Sequence, residues 1–293
     1  MHSPVKRPTL PDNIRLDDIS DDITRQVRAA LEEDIGSGDV TAELIDEDAT
    51  NDAYIITKED CTICGIAWVD ETFKQLGGLD NTIWHVKDGE KVKAGTRLVE
   101  FSGNSRKLLT GERTALNFLQ LLSGVATKSA AYAELVEGKN VKILDTRKTI
   151  PGLRTAQKYA VAVGGCDNHR IGLYDRFLIK ENHITACGGI ENAVAKAKAS
   201  HPTLLVEVEV ETLEEFEQAL NTAVDIIMLD EFSTEDQAAA VDRLRNNRWN
   251  PYVEISGNVT RTRLANQAYG DLVSIGALTK HVQAIDLSFR ISG

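Results

Sequence analysis

The chain has 293 residues, 42% hydrophobic and 27% charged, which is typical of a globular protein with two domains. Its formal net charge of −12 argues against a general nucleic-acid binder and against docking on an anionic membrane, since both need a basic face. No apolar run approaches the roughly 18 residues that a membrane span needs, and no signal-peptide core is present. The sequence therefore predicts a cytoplasmic protein.

The first 110 or so residues predict a helix followed by short strands. Ile23, Val27 and Leu31 share a helical face, and the glycines Gly36 and Gly38 end the helix. The runs AYIITKE, TIWHVK and RLVEFSG then alternate like half-buried strands. The segment HVKDGEKVKAGTRL resembles the hairpin of a swivelling carrier domain, with a carrier lysine as one interpretation. We favour an ordinary hairpin.

Cysteine spacing gives little sign of a metal site. Cys61 and Cys64 form a CxxC pair, but no second pair or matching histidines follow. Buried structural cysteines in a reducing compartment are the favoured interpretation.

A long helix is predicted next, over LLTGERTALNFLQLLSGVATKSAAYAELVEG, and it connects the two domains. Within it, Gly124 would permit close packing against a neighbouring segment.

From about residue 140 the pattern becomes rhythmic. The apolar runs VKILDT, RFLIKEN, TLLVEVEVET, DIIMLDEF, YVEISGN and LVSIGAL alternate with amphipathic stretches. Continuous apolar strands separated by helices predict parallel βα units. At least six such units in succession indicate an incomplete barrel of the TIM type.

Polar residues follow the predicted strands, and in such a barrel they converge at the C-terminal rim, where active sites are built. The cations on this rim would repel one another, so their presence in an acidic protein predicts an anionic ligand. Two carboxylates there suit ribose hydroxyls or a magnesium ion, and the turns SGN and IGAL expose backbone N–H groups for a phosphate. Taken singly, Lys148, Glu209 and His169 could each be ordinary surface, ion-pairing or loop residues. The rim residues are Asp145 to Lys148, His169, Arg170, Lys180, Glu181, Glu209, Asp230, Ser256, Gly257 and Gly276.

These motifs resemble a known family. The segments EEDIGSGDVT, GERTALNFLQLLSGVAT, ILDTRKTIPGLRTAQKYAVAVGG, NHRIGLYDRFLIKENHI, EVEVET, IMLDEF, EISGNV and SIGALTK are similar, in family order, to those of quinolinate phosphoribosyltransferases. The resemblance implies an N-terminal α+β sandwich domain over residues 1–120. It also implies an incomplete TIM-like α/β barrel over residues 121–293, and leaves open a C-terminal tail that returns to the first domain.

The resemblance also implies a reaction. Quinolinate and phosphoribosyl pyrophosphate give nicotinate mononucleotide, pyrophosphate and carbon dioxide, with Mg²⁺, at the entry to NAD from the de novo pathway. The family is at least dimeric and shares its site, so Arg113 would be donated to a neighbouring subunit. Lys148, Glu209 and Asp230 would be catalytic, with the two carboxylates also holding magnesium directly or indirectly. Substrate contacts are implied for Arg113, Thr146, Arg147, Lys148, His169, Arg170, Lys180, Glu209, Asp230, Ser256, Gly257, Asn258, Gly276, Ala277 and Leu278.

Two alternatives stay open at this point. One is a paralogous enzyme, found beside molybdate transport systems, that shares the DTRKT motif. The other is a non-catalytic sensor that binds a sugar phosphate on a barrel scaffold, although such a sensor has no evident need for Glu209 and Asp230.

Overall fold

The computed structural model describes residues 7–245, 247, 249–257, 259–265 and 269–292. The chain divides into two units. The barrel unit comprises Tyr132–Arg147, Asp167–Gly276 and the N-terminal segment through Asp12. The sandwich unit comprises Asn13–Ala131, Lys148–Cys166 and Ala277–Gly293. Both units are discontinuous. The expected domains met at residues 120 and 121, and a C-terminal tail that returns to the first domain was left open; Ala277–Gly293 belongs to the sandwich unit. The expected boundary followed the order of the elements along the chain. Two later segments, Lys148–Cys166 and Ala277–Gly293, pack with the N-terminal elements.

The sandwich unit is built on a four-stranded antiparallel sheet in the order β12-β1-β5-β3. Two further short strands, β2 and β4, pair with each other. The segment predicted as a simple hairpin is therefore divided, because β3 pairs with β5 and β4 pairs with β2. The strands are Thr50–Thr57 (β1), Cys61–Thr62 (β2), Asn81–Trp84 (β3), Lys91–Val92 (β4), Arg97–Asn104 (β5) and Leu287–Ser292 (β12).

The helices of the sandwich unit bury residues that recur at helical spacing. The first helix buries Ile23, Val27 and Leu31, as the sequence predicts, and ends at Gly36, whose φ is +53°. Short 3-10 turns occupy Leu16–Ile19, Ala42–Leu44 and Glu134–Val136. The helices are Ser20–Ile35 (α1), Ile66–Gln75 (α2), Ser105–Ala133 (α3), Arg154–Val163 (α4) and Ala277–Lys280 (α10).

The core of the sandwich unit includes the end of the chain. Ile285 and Leu287 are buried with residues of β1, β5 and α3. The segment at Gln283 approaches α3 closely because residue 124 is a glycine. A Cβ atom at this position would lie 2.1 Å from the Gln283 carbonyl oxygen. The close packing predicted for Gly124 is therefore confirmed. Cys61 and Cys64 are both buried free thiols, and burial raises the pKa of each.

The barrel unit holds a six-stranded parallel sheet in the order β6-β11-β10-β9-β8-β7. Its first strand pairs with its last, so the sheet closes on itself except between β6 and β7. An isolated parallel bridge from Leu144 to Asp167 lies next to that gap. This is the incomplete barrel that the sequence predicts. The strands are Lys142–Leu144 (β6), Phe177–Ile179 (β7), Val206–Val210 (β8), Ile226–Asp230 (β9), Tyr252–Ser256 (β10) and Leu272–Ser274 (β11).

Helices follow the barrel strands as in other parallel βα units. Thr212 caps one of them, accepting a hydrogen bond at its Oγ1 from the Glu215 N–H at 3.2 Å. Within the described ranges, no helix combines the length and apolar character that crossing a membrane would require. The barrel helices are Glu181–Cys187 (α5), Ile190–Ser200 (α6), Leu213–Leu220 (α7), Thr234–Arg245 (α8) and Arg261–Ala265 (α9).

The two faces of the barrel sheet differ in chemistry. Side chains alternate along a strand, and directly paired residues of parallel strands share a face. One face carries buried valine, isoleucine and leucine. The other carries an apolar cluster, in which Leu144, Ile226 and Leu272 pack with Leu10, and is charged towards the C-terminal ends of β8 and β9. Polar residues of this second face include Glu207, Glu209, Asp230, Glu254 and Ser256.

Candidate active site

Asp145 joins two of the motifs found in the sequence. It follows β6 and is fully buried. One oxygen of its carboxylate accepts a hydrogen bond from the backbone N–H of His169 at 2.9 Å, and the other accepts from the Asn168 side chain at 2.8 Å. The NHR segment is therefore held at the end of the first barrel strand, next to the DTRK segment.

A charged cluster is buried in the barrel beneath this loop. His169 Nε2 lies 3.0 Å from a Glu207 oxygen and 3.7 Å from a Glu254 oxygen, and Arg176 approaches Glu207 at 3.3 Å. The four side chains are at most 5% exposed. A buried charge persists only when it is paired, so these contacts determine which members of the cluster ionise.

The pKa shifts within the cluster have opposite signs. Burial opposes the charge of Glu207, but His169 and Arg176 outweigh it and lower the pKa of this carboxyl. Burial likewise opposes the imidazolium of His169, but Glu207 and Glu254 outweigh it and raise its pKa. Burial and repulsion from Glu207 raise the pKa of Glu254 to about 7. Both Glu254 oxygens lack a hydrogen-bond partner among the described residues.

His169, Glu207 and Glu254 could also offer three ligand atoms to a metal, since these atoms lie within 4.8 Å of one another. The guanidinium of Arg176 opposes a second cation at that point. An ion-paired cluster that raises the pKa of His169 is the better description. Arg176, Glu207 and Glu254 were not predicted as site residues. The signal was present in VEVEVET, where glutamates alternate with valines that are buried.

We expect Glu254→Gln to change how stability depends on pH. Because the folded pKa is raised, folded protein retains a proton between about pH 4.5 and pH 7 that unfolded protein releases. The contribution of protonated Glu254 to the free energy of unfolding is therefore present at low pH and is lost as pH rises through 7. Glutamine carries no charge, so the variant should gain stability relative to wild type between pH 5 and pH 8, on the order of 3 kcal/mol. Urea unfolding at both pH values measures this.

A matched control for that experiment is Glu217→Gln. Glu217 lies on α7 with its side chain 57% exposed and pairs with Arg243. A surface pair of this kind contributes little. An equal pH effect in both variants would contradict the burial account of Glu254.

Two arginines lie close together above the cluster. Burial, followed by the positive charge of Arg147, lowers the pKa of Arg170. Arg147 Nε is buried and has no hydrogen-bond partner among the described residues. Arg170 donates to the Arg176 carbonyl at 3.3 Å, which directs its guanidinium. Two neighbouring guanidinium groups with a buried, unsatisfied donor are suited to a bound anion.

Lys180 and Glu209 form an ion pair at the C-terminal ends of β7 and β8. The Glu209 side chain is 10% exposed and that of Lys180 is 41% exposed. Asp230 is half-buried and is paired in register with Ser256 on the neighbouring strand. Two carboxylates and one ammonium therefore lie at the C-terminal ends of β7, β8 and β9.

The turn after Ser256 depends on a glycine. Gly257 has a φ of +84°, and a Cβ atom there would lie 2.5 Å from the Glu231 side chain. Glu231 itself has a φ of +56°, which is uncommon for a residue other than glycine. The loops after β9 and β10 therefore meet closely at the open end of the barrel.

The predicted site residues fall into both units. Thr146, Ser256, Gly257 and Gly276 are half-buried in the barrel unit. Arg113 and Lys148 are exposed in the sandwich unit, as parts of α3 and of the segment after Arg147. Ala277 and Leu278 also belong there, and the Leu278 side chain is fully buried, so only its backbone could meet a ligand. Asn258 lies outside the described residues.

An open α/β barrel with arginines, a lysine and carboxylates at the C-terminal ends of its strands defines an enzyme that acts on anionic substrates. Comparison with known proteins makes the class specific. Residues 39–123 match the family described as "Quinolinate phosphoribosyl transferase, N-terminal domain", and residues 125–290 match its C-terminal domain. The chain belongs to the quinolinate phosphoribosyltransferase family.

Individual relatives agree with this assignment. The solved nicotinate-nucleotide pyrophosphorylase of Francisella tularensis is 45% identical, with a TM-score of 0.90, covering 97% of this chain and 100% of that one. A chloroplastic nicotinate-nucleotide pyrophosphorylase [carboxylating] of Arabidopsis thaliana is 38% identical over 92% of this chain and 83% of its own. A nicotinate-nucleotide pyrophosphorylase [carboxylating] of Mycobacterium leprae is 36% identical over 90% of this chain and 95% of its own.

Proposed function

We infer that the chain is a decarboxylating quinolinate phosphoribosyltransferase. It transfers the phosphoribosyl group of phosphoribosyl pyrophosphate to quinolinate and releases nicotinate mononucleotide, pyrophosphate and carbon dioxide, in de novo NAD synthesis. Family membership supports this reaction. The observation that carries it at the level of residues is the arginine pair, Arg147 and Arg170, in which a buried guanidinium N–H lacks a partner among the described residues.

Quinolinate binding follows from charge. The substrate has two adjacent carboxylates, and bringing it into a cleft with the polyanionic second substrate is prohibitive without cations. Arg147 and Arg170 provide planar forks that match a carboxylate. His169, whose pKa is raised by Glu207 and Glu254 against the effect of burial, is the third group proposed to contact the dianion. In the proposed complex these groups neutralise the dianion and direct its ring nitrogen towards the anomeric carbon.

Glycosyl transfer forms a bond from the ring nitrogen to the anomeric carbon and breaks the bond from that carbon to the pyrophosphate oxygen. The transition state resembles an oxocarbenium ion, so positive charge develops on the ribose. Glu209 and Asp230 are the carboxylates proposed to hold the ribose hydroxyls near that charge. Lys148 is proposed to face the leaving pyrophosphate, and Ser256, Gly257, Gly276 and the backbone of Ala277 and Leu278 to bind the 5′-phosphate.

Decarboxylation needs no Schiff base. Once alkylated, the ring nitrogen is cationic and stabilises the electron pair left on the adjacent carbon when carbon dioxide departs. The protein holds the other carboxylate and leaves the departing one less well solvated. A proton then replaces the lost carboxylate on that carbon.

Magnesium is proposed as the metal of this reaction. Glu209 and Asp230 are half-buried on neighbouring strands and present the oxygen ligands that Mg²⁺ prefers, so the donor set fits. When bound, the ion would neutralise charge on the pyrophosphate. Lys180 already pairs with Glu209, whereas Asp230 has no ion pair among the described residues.

The direct test is an assay of the purified protein with quinolinate, phosphoribosyl pyrophosphate and Mg²⁺. Nicotinate mononucleotide and pyrophosphate should appear in equal amounts. A folded protein that makes no product from these substrates, but turns over another pyridine or pyrimidine acid in a substrate panel, would favour the paralogous enzyme. Binding without turnover of any acid would favour the sensor.

We also propose a homodimer with a shared site, to which each subunit donates Arg113. The exposure of Arg113 on α3 supports this role. The cytoplasmic location stays a prediction of the sequence.

Mixing two inactive variants should test the shared site. Arg113→Ala lacks the donated cation, and Asp230→Asn lacks a carboxylate of the barrel. A hybrid dimer contains one intact site, so we expect the mixture to regain about a quarter of wild-type activity when subunits exchange freely. Assays before and after mixing measure this. No recovery, despite exchange shown by tagged subunits, would contradict the donation of Arg113.

A further inference from the structure

Two hydrogen bonds connect segments of the sandwich unit that are distant in sequence, and a third lies within one of these segments. Thr279 Oγ1 donates to the Lys148 carbonyl at 2.8 Å. Gln157 Nε2 donates to the Thr279 carbonyl at 3.0 Å, and Gln157 Oε1 accepts from the Ile150 N–H at 2.7 Å. The side chains of Gln157 and Thr279 are fully buried. The segment after Arg147 is therefore bound through α4 to the start of α10.

We propose that Thr279 and Gln157 are positioning residues that hold the main chain of Lys148 at a fixed place relative to Ala277 and Leu278. The inference rests on the proposed function, in which Lys148 faces the pyrophosphate and Ala277 and Leu278 bind the 5′-phosphate. Both groups belong to one molecule of phosphoribosyl pyrophosphate. Their separation is set by the ribose, so the two protein segments must keep a matching separation.

The geometry favours positioning over a purely local structural role. Two of the three bonds are made to a carbonyl at or next to a proposed ligand-binding residue, and the third holds the main chain of Ile150, two residues after Lys148. Gln157 uses both ends of its amide, one on each segment, so it cannot turn without losing both bonds. The far end of the same loop is held separately, since the Gln26 amide donates to the Gly152 carbonyl at 3.0 Å. Gln157 and Thr279 therefore fix the end of the loop nearest to Lys148.

Position 279 requires a hydroxyl group, because Thr279 Oγ1 donates to the Lys148 carbonyl. Valine has the same shape but lacks the donor, and it would leave the Lys148 carbonyl without this bond. Serine retains the donor and loses one methyl group. The pair of variants separates the hydrogen bond from the packing of the side chain.

The test compares steady-state kinetics of Thr279→Val, Thr279→Ser and Gln157→Met with wild type. We expect kcat/KM for phosphoribosyl pyrophosphate to fall about 10- to 100-fold in Thr279→Val and Gln157→Met. The dissociation constant of quinolinate, measured by calorimetry without the second substrate, should change less than about twofold, and Thr279→Ser should lie within about threefold of wild type.

Thr72→Val is the matched control. Thr72 is fully buried in α2 and its hydroxyl donates to the Trp68 carbonyl at 2.7 Å, the same type of bond within one helix. This variant loses a buried hydrogen bond without altering either segment, so its kinetics should follow wild type even if its melting temperature falls.

The outcomes are distinguishable from a failure of the proposed function. Product formation by wild type tests that function alone. With an active wild type, unchanged phosphoribosyl pyrophosphate kinetics in Thr279→Val would overturn the positioning role. Equal losses for both substrates, or a loss as large in Thr72→Val, would also overturn it. If Thr279→Val does not fold, Gln157→Met decides by the same criteria.

Discussion

Arg147→Ala should abolish tight quinolinate binding while the protein stays folded. Arg147 has a buried Nε without a partner among the described residues, and its charge acts on Arg170. Removing one partner of a buried charge pair costs about 2–5 kcal/mol, so affinity should fall by a factor of about 30 to several thousand. Calorimetric titration with quinolinate measures the loss, and circular dichroism checks the fold.

Two further variants sharpen that result. Arg147→Lys keeps the charge but loses the planar fork, so its affinity should lie between those of wild type and Arg147→Ala. Arg243→Ala is the control, since Arg243 pairs with Glu217 on the outer helices α7 and α8. Near-normal quinolinate binding by Arg147→Ala would refute the role of the arginine pair.

Lys180→Met should reduce kcat/KM about 100- to 1,000-fold, because truncation leaves the nearly buried Glu209 without its cation. In the proposed complex that uncompensated carboxylate would face two polyanionic substrates. Met keeps much of the apolar stem, so lost packing contributes little. Initial rates with each substrate varied in turn measure the effect.

Lys198→Met is a matched control within the same barrel. Lys198 pairs with Asp225, which lies at the N-terminal start of β9 instead of its C-terminal end. The change removes the same kind of ion pair from the opposite end of the strands. We expect it to affect stability and to leave kcat/KM within about threefold of wild type, since barrel enzymes build their sites at the C-terminal face. Comparable losses in both variants would indicate a general effect on folding.

The barrel was predictable because its signals are local. Each of the six strands is a short apolar run, and each run ends in polar residues that the closed sheet gathers at one end. The alternation of Glu207 and Glu209 with buried valines shows that the inward face is charged. The first strand, β6, pairs with the last, β11. This pairing follows from the fold class and could not be predicted from either strand alone.

The division into units was not predictable in the same way. Nothing local in the 148–166 segment indicates that it packs with the N-terminal elements, whereas the family resemblance left open the return of the C-terminal tail. Gly124 gave a partial signal, since only a residue without a side chain tolerates the Gln283 carbonyl at that distance. Its partner could not be read from the sequence.

The buried cluster was missed for a related reason. Glu254 is one residue in an otherwise ordinary strand, and its effect depends on His169 and Glu207, which are distant in sequence. Sequence patterns predict which face a residue occupies, but the pKa of a buried carboxyl depends on distances that only the folded chain determines. The contacts of Gln157 and Thr279 were hidden in the same way.

One measurement addresses the central claim most directly. Quinolinate carrying a carbon label in the carboxylate next to the ring nitrogen is incubated with the protein and Mg²⁺, with and without phosphoribosyl pyrophosphate. The proposed function predicts labelled carbon dioxide in an amount equal to the pyrophosphate formed, and only when phosphoribosyl pyrophosphate is present. Release of label without that substrate, or pyrophosphate formation with the label retained in the product, would contradict it.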